Sequence, residues 1–425
     1  MPGNIQSGNL LKKSSFQELM EMEKRLCDFL IVGGCLKRHF KNFYCLWAKE
    51  STLMGRKSEW YYKITVLIAF FYLPSISNSQ ISFEGFEHLF VPPKAYTAPY
   101  TQSAIKVDGN FNEKAWQAAA WTDSFVDIEG KGKPQPKYKT RVKLLWNDSC
   151  LFVAAELEEP HVWANLKQHD NIVYYDNDFE IFIDPGNDVH QYFEIEVNAL
   201  NTILDLFMPK PYRNGGIAML SYNATGLKSA VKVHGTLNHP GDKDSSWLVE
   251  MAIPFQSIYL GNKWSPPEEG ALWRMNFSRV EWDVEIANDK YRKKKDAAGK
   301  LLPEHNWVWS PQGIINMHFP ERWGYLQFTK NTTGTTTFVL PQSEKRKQYL
   351  WLLYYKQKAH FAKHRKYATS LENFGINTPG LQVDGYENIL KMEATTRQFT
   401  IYISDDTSTL SINDEGFVQT LKKIS

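Results

Sequence analysis

Short runs of alternating apolar and polar residues fill the chain between about Ala95 and Phe328, and Gly, Pro, Asn and Asp separate them. Phe179–Ile183 alternates strictly, and Tyr192–Asn198 repeats the alternation with Tyr192, Glu194, Glu196 and Asn198 on its polar side. A period of two places alternate side chains on opposite faces of a strand. Many short strands with few helical stretches predict an antiparallel β-sandwich, one of whose sheet faces is unusually polar.

Two neighbouring runs predict a β-hairpin. Arg141–Trp146 and Leu151–Leu157 flank the turn residues Asn147–Cys150. Further strand-like runs are Trp247–Ile253, Trp273–Trp282 and Trp323–Phe328. Trp146, Trp247 and Trp273 lie inside strands and are predicted to be core residues, whereas Trp307 and Trp309 lie in loop-like contexts.

Helical periodicity is confined to two places. A short helix is predicted around Asn112–Ala119, and an amphipathic helix over Gln348–Lys363. The low-complexity run Asn331–Thr337 lies before the second helix and predicts a linker. The predicted organisation is therefore a sandwich over 95–328, a linker over 329–345 and a small α+β appendage over 346–425.

The apolar run Ile64–Leu73 has the layout of a secretory signal peptide, with basic residues before it and small polar residues after it. It is shorter than the roughly 20 residues that span a bilayer, so no permanent membrane span is expected. We expect residues 54–79 to form the signal peptide, with Met54 as the true start and cleavage after Ser79. Residues 1–53 are then an extension from a mis-called start, and the mature protein is secreted or periplasmic. The alternative is that residues 1–53 are a real cytoplasmic segment in front of a signal anchor.

The net charge and the counts of cysteine and aromatic residues limit which partners and bonds are expected. The 425 residues include 49 Lys and Arg against 47 Asp and Glu, which gives a formal net charge of +2 and no reason to expect nucleic acid as a partner. Of the cysteines, Cys27, Cys35 and Cys45 precede the signal peptide, so the mature chain keeps only the thiol of Cys150 and forms no internal disulfide. The 14 Trp and 21 Tyr are costly to expose unless they pack or bind a ligand.

The sequence contains no phosphate-binding glycine loop, nucleophile elbow or paired-cysteine metal motif, so no catalytic residue is predicted. Carboxylates on the polar strand faces, including Glu180, Glu194 and Glu250, would supply the acid pair of a glycoside hydrolase, but simple solvation is the commoner role of such residues. The clusters Asp176–Asp178 and Asp184–Asp188 would place oxygens around a structural calcium ion, and ordinary turn chemistry explains them equally well.

The order of five segments is informative: Val107–Trp116, Arg141–Leu157, Tyr174–Asp184, Trp247–Phe255 and Phe319–Phe328. Together they resemble the family 9 carbohydrate-binding modules, in particular stand-alone proteins of bacteria specialised in polysaccharides. The resemblance implies a β-sandwich in which two aromatic side chains clamp a sugar ring while polar side chains bond its hydroxyls. Some members of the family also hold structural calcium.

The resemblance also implies site residues. Tyr174 lies at the first clamp position, where the family usually has Trp, six residues before Glu180, which matches a conserved acidic position. The second clamp position falls on Trp309, with Trp307 as its neighbour, or shifts towards His318. Glu194 and Asn198 are expected in the set that bonds the hydroxyls.

The expected function is therefore that of a secreted, non-catalytic carbohydrate-binding protein, for which no cofactor is assigned and structural calcium is left open. The rivals are a carboxylate-dependent glycoside hydrolase and a haem-binding redox module of the same sandwich superfamily, with Met317 or His318 as axial ligand. A structural partner of a surface assembly that uses the C-terminal appendage is a third alternative.

Overall fold

The computed structural model describes residues 81, 83–261, 264–332 and 337–422. The predicted N-terminal extension and signal peptide lie outside the described residues. Among the described residues, no helix is long and apolar enough to cross a membrane.

A large sheet forms one layer of the sandwich. Its strands follow the order β1-β14-β10-β5-β6-β7, and β13 pairs with β10 beyond the end of β14 and also with β2. The strands are β1 (Ala95–Pro99), β2 (Val126–Asp127), β5 (Asp178–Asp184), β6 (Tyr192–Asn198), β7 (Ile203–Met208), β10 (Leu272–Glu281), β13 (His305–Val308) and β14 (Gly324–Thr329). All neighbours are antiparallel except β1 and β14, which run parallel and join the two ends of the sandwich sequence.

A four-stranded antiparallel sheet forms the second layer, in the order β3-β4-β9-β8. Its strands are β3 (Thr140–Trp146), β4 (Cys150–Glu158), β8 (Lys228–His234) and β9 (Ser246–Pro254). The predicted hairpin is β3–β4, in which Leu144 pairs with Val153. The main core lies between the two sheets and includes Trp146 and Trp247, while Trp273 is partly buried against it. The predicted β-sandwich is thus confirmed.

The alternation in β5 and β6 is confirmed, but its polar face is not open to water. Phe179, Ile181 and Ile183 point into the main core, whereas Glu180 and its polar neighbours lie on the outer face. A second apolar cluster, formed jointly by strand side chains of that face and by residues outside the strands, covers it: Ile128, Val173, Phe182, Tyr192, Leu204, Leu206, Met208, Val308, Met317 and Trp323. Every residue of β5 and β6 is consequently buried.

The shorter elements connect these layers. Helix α1 (Lys114–Ala118) is shorter than predicted and buries Trp116, whose Nε1 donates to Glu250 Oε1 at 2.9 Å. The basic stretch after β10 forms a hairpin of β11 (Val284–Ile286) and β12 (Tyr291–Lys293). Single 3₁₀ turns occupy Glu87–Phe90, Val173–Tyr175, Tyr212–Asn214, Phe255–Ile258, Pro320–Arg322 and Leu371–Phe374.

The C-terminal part is α+β, as expected. Helix α2 (Gln342–His364) packs its apolar side, including Leu350 and Leu353, on an antiparallel sheet and shares a core with Ile401 and Ile412. The strands are β15 (Gly380–Val383), β16 (Tyr386–Ala394), β17 (Phe399–Ser404), β18 (Ser408–Asn413) and β19 (Val418–Lys422). The helix begins at Gln342, directly after Pro341, and so starts inside the stretch 329–345 that was predicted as a linker.

Candidate functional site

Two tyrosines stand on the 3₁₀ turn Val173–Tyr175 that leads into β5. Their ring centroids are 4.7 Å apart at an interplanar angle of 47°. Tyr175 is 53% exposed, whereas Tyr174 is half-buried. A hydrogen bond with Tyr175, together with burial, raises the pKa of Tyr174 to about 12. The pair therefore presents the exposed ring of Tyr175 beside Tyr174, the position where the sequence predicted a clamp residue.

Trp282, which directly follows β10, is buried beside this pair. Its Nε1 donates to the carbonyl oxygen of Tyr174 at 2.8 Å, and its ring packs in a small cluster with Trp163. The ammonium of Lys293, from β12, lies 3.4 Å from the Trp282 ring centroid and 5.6 Å from that of Tyr175. Burial lowers the pKa of Lys293. We call Tyr174, Tyr175 and Trp282 the aromatic patch.

The sequence interpretation missed Trp282 and Lys293. Trp282 was counted within a strand, although a charged turn residue, Asp283, follows it directly and marks the strand end. Lys293 belongs to a basic stretch, residues 290–300, whose simplest interpretation from sequence is a solvated loop, but the β11–β12 hairpin directs its side chain onto the aromatic patch.

Trp309 and Trp307 do not form the second clamp. They are 2% and 3% exposed and belong to the main core between the sheets. The Trp309 ring packs 5.8 Å from Phe277, and the Trp307 indole donates to Glu281 Oε2 at 2.8 Å. Neither ring has a face free for a sugar, so both residues are reassigned to the core. The alternative, His318, is engaged by Tyr192, whose hydroxyl lies 2.9 Å from His318 Nδ1.

Glu180 and Glu194 lie beneath the turn that carries the aromatic patch, not at its surface. They are 5% and 4% exposed. Register places Glu196, Glu180 and Ser278 side by side across β6, β5 and β10 on the outer face of the large sheet. Glu196 Oε2 accepts the backbone N–H of Tyr174 at 3.1 Å, which ties this row to the patch.

These carboxyls titrate far from their usual range. Burial and the charge of Glu196 raise the pKa of Glu180 to about 8, and burial raises that of Glu196 to about 7. Burial and neighbouring carboxylates also raise the pKa values of Asp178 and Glu194. One oxygen each of Asp178, Glu180 and Glu196 lie within 4.8 Å of one another. In an all-oxygen arrangement of this kind, these residues could hold a hard cation.

Asn198 is occupied by structural hydrogen bonds and has no side-chain surface for a sugar. It is fully buried, and its Nδ2 donates to Asp176 Oδ2 at 3.0 Å and to the Leu166 carbonyl at 2.9 Å. Its Oδ1 accepts the backbone N–H groups of Leu200 and Thr202.

The two turns considered for calcium are also held by hydrogen bonds. Asp176 Oδ2 accepts two backbone N–H groups at 2.8 Å, and Asp184 Oδ2 accepts that of Val189. Asn187 Oδ1 accepts from Arg274 Nε at 3.2 Å. Of these turn residues, Asp178 alone belongs to a described group of oxygens close enough to share an ion.

The residues proposed as haem ligands are engaged within the protein. Met317 Sδ accepts from Gln312 Nε2 at 3.0 Å. Burial lowers the pKa of His318 to about 4, and its ring packs between Phe182 and Tyr212.

Comparison with known proteins confirms the resemblance seen in the sequence. Residues 107–300 match the family described as carbohydrate family 9 binding domain-like. No curated protein matches the chain. Among solved structures, a protein of Bacteroides uniformis ATCC 8492 is 17% identical with a TM-score of 0.41, over 56% of this chain and 99% of that one.

A family 9 carbohydrate-binding module of Caldicellulosiruptor kristjanssonii is also similar. In its complex with cellotriose it is 15% identical with a TM-score of 0.34, over 58% of this chain and all (100%) of that one. In its complex with glucose the identity is 16% and the TM-score 0.33, over the same shares of 58% and 100%.

Proposed function

Starting from the family 9 binding domain-like segment at residues 107–300, we propose that this protein is a secreted, non-catalytic carbohydrate-binding protein. The observation that carries the proposal is the aromatic patch, which lies within that segment and exposes the ring of Tyr175. The apolar run Ile64–Leu73 supports export to the periplasm or the medium.

The patch suits the chemistry of a sugar. A sugar ring has an apolar C–H face and a rim of hydroxyls, so an aromatic surface with a few fixed polar groups binds it. Tyr175 supplies the open face and Tyr174 extends it. The Lys293 ammonium, beside the rings of Tyr175 and Trp282, donates to hydroxyls. The recognition surface is thus one tyrosine pair with a lysine rather than a clamp of two facing aromatic side chains.

The burial of the carboxylates supports binding of a carbohydrate without its hydrolysis. A glycoside hydrolase needs two accessible carboxyl groups about 5–10 Å apart, on either side of the bond that breaks. Asp178, Glu180 and Glu196 are at most 5% exposed and crowd within 4.8 Å of one another. A glycosidic bond has no access to them in this arrangement.

Affinity electrophoresis in gels that contain plant or algal polysaccharides tests the proposal. We expect the native protein to be retarded in at least one gel, and Tyr175→Ala to lose that retardation with unchanged stability because its ring is exposed. Tyr386→Ala is the matched control, since Tyr386 is 63% exposed on β16, outside the family 9 segment. Retardation that Tyr175→Ala and Trp282→Ala both leave intact would contradict the site assignment.

A further inference from the structure

The β11–β12 hairpin and the turn that follows it, residues 284–301, carry a surplus of positive charge beside the aromatic patch. The segment contains six Lys and Arg residues against three Asp and Glu residues, although the whole chain has a formal net charge of only +2. Five of the six basic side chains are exposed: Lys290, Arg292, Lys294, Lys295 and Lys300. The surplus is therefore a local feature of this segment, which we call the basic hairpin.

The protein itself does not neutralise these charges. Across the part of the chain that the structure describes, none of the six forms an ion pair, whereas nearby Lys137 pairs with Asp283 at 3.0 Å. Of the acidic residues in the segment, Asp296 uses Oδ1 to accept two backbone N–H groups of its own turn at 2.9 Å. Glu285 is the register neighbour of Arg292. The lysine ammonium groups therefore remain available to an anion from outside.

The sixth basic residue, Lys293, is half-buried and lies between this charge and the patch. Its ammonium is 3.4 Å from the ring centroid of Trp282 and 5.6 Å from that of Tyr175. Asp176 and Glu304 raise its pKa electrostatically, but neither lies within ion-pair distance of it. No described residue accepts a hydrogen bond from its Nζ. An aromatic face attracts a cation without accepting its N–H groups in hydrogen bonds to oxygen, so all three donors are left for a ligand or for water.

We propose that the ligand is an anionic polysaccharide, whose sugar ring lies on Tyr175 and whose carboxylate or sulfate group is bound by Lys293. A hydrogen bond between an ammonium and an oxyanion is roughly twice as strong as one between neutral groups. The exposed lysines of the basic hairpin attract the charges of neighbouring sugar units at longer range. This inference rests on the proposed function and narrows the chemical class of its ligand.

The aromatic patch favours a polysaccharide over a single-stranded nucleic acid, the other polymer that combines negative charge with flat rings. Proteins that bind single strands present positive grooves in which successive bases stack on several aromatic side chains. The patch exposes one large ring face, that of Tyr175, because Tyr174 is half-buried and Trp282 is buried. The basic hairpin and the patch also lie almost wholly within the family 9 segment at residues 107–300.

Affinity electrophoresis of the native full chain tests the charge of the ligand without any variant. The gels contain polygalacturonate and alginate, each as the free acid and as a neutral ester, and carrageenan with and without its sulfate groups. At low ionic strength we expect at least about tenfold tighter binding to the charged form of at least one pair. The pair that shows this difference identifies carboxylate or sulfate as the source of the charge. Equal retardation by the charged and neutral forms of every pair overturns the proposal.

A substitution of Lys293 tests its role. Lys293→Met removes the ammonium but keeps a long apolar side chain over Trp282, so it should weaken binding to the charged polymer by about tenfold with an unchanged Tm. Lys293→Arg keeps the charge and should retain most of the affinity. Unchanged affinity of Lys293→Met for the charged polymer overturns the assignment of Lys293.

The exposed charges are tested by a pair of matched double variants. Lys294→Gln with Lys295→Gln should weaken binding to the charged polymer by about threefold at low ionic strength, and by less at high ionic strength, because salt screens exposed charges. Lys363→Gln with Lys366→Gln removes the same charge from two exposed positions outside the family 9 segment and should change nothing. Equal losses in the two double variants overturn the role of the basic hairpin.

The same gels keep this inference separate from the proposed function. Retardation by neutral polysaccharides alone counts against the anionic class and leaves carbohydrate binding standing. The absence of retardation in every gel counts against carbohydrate binding, and the inference then falls with it. Retardation by single-stranded DNA as strong as by any charged polysaccharide overturns the inference in favour of a surface that binds polyanions without distinction.

Discussion

At the scale of single residues, the contact between Gly324 and Trp309 shows how tightly the main core is packed. A Cβ atom at Gly324 would overlap the Trp309 ring and would lie 3.0 Å from the carbonyl oxygen of Lys94. Both obstacles are rigid, because Trp309 is 2% exposed and Lys94 contributes backbone. The absence of a side chain at Gly324 is what admits the tryptophan to the core.

Gly324→Ala should therefore lower the free energy of unfolding by about 1–3 kcal/mol, as overpacking of a core does. Gly380→Ala is the control, since Gly380 also lies in a strand, β15, and a Cβ there meets no atom within 4 Å. We expect the control to change stability by less than about 0.5 kcal/mol. Urea unfolding of both variants measures the difference, and equal effects would contradict this account of the packing.

At the scale of elements, helix α2 is anchored to the sandwich through its polar first turn. Glu344 is buried and accepts from Arg274 Nη2 at 3.2 Å, from the Tyr325 hydroxyl at 3.1 Å and from Asn187 Nδ2 at 2.9 Å. Burial alone would raise the pKa of Glu344, but the charges of Lys347 and Arg274 hold it below its usual range. Apolar periodicity could not reveal this turn, because its buried residues are charged and most of their partners are distant in sequence.

Glu344→Gln should cost about 3–5 kcal/mol of stability, because it leaves Arg274 as a buried charge without its carboxylate. Glu387→Gln, at an exposed position of β16, is the matched control and should be nearly neutral. Guanidinium denaturation monitored by tryptophan fluorescence would compare them. A Glu344→Gln variant no less stable than the control would show that this anchor contributes nothing.

At the scale of the whole molecule, the sequence predicts what depends on neighbouring residues and misses what depends on distant loops. Alternation correctly placed Glu180 on the face of β5 opposite to Phe179, and turn residues correctly marked the β3–β4 hairpin. It could not predict that Glu180 is buried, because part of the cover over this face comes from residues far along the chain, such as Met317 and Trp323. Trp309 was predicted as an exposed clamp residue, and its burial in the main core was missed because it also depends on residues distant in sequence.

The burial of carboxyl groups governs how the stability of the molecule responds to pH. Glu180 and Glu196 have folded-state pKa values of about 8 and about 7, above the ordinary glutamate value of 4.5. Burial raises the pKa values of Glu159 and Asp184 to about 7 as well. The folded protein therefore binds more protons than the unfolded chain between pH 4.5 and 8, so this contribution is complete below that range and is lost as the pH rises through it.

The free energy of unfolding should thus fall by about 3 kcal/mol or more between pH 5.5 and 7.5, at about 1.4 kcal/mol per pH unit for each such group. His318 opposes this trend only at the acid end, because its contribution is lost as the pH falls from 6.5 towards 4. Glu180→Gln removes one of the raised groups and should make the slope shallower by about one proton. Urea unfolding across this range measures both slopes, and a variant that follows the native curve would mean that Glu180 is ionised in the folded protein throughout.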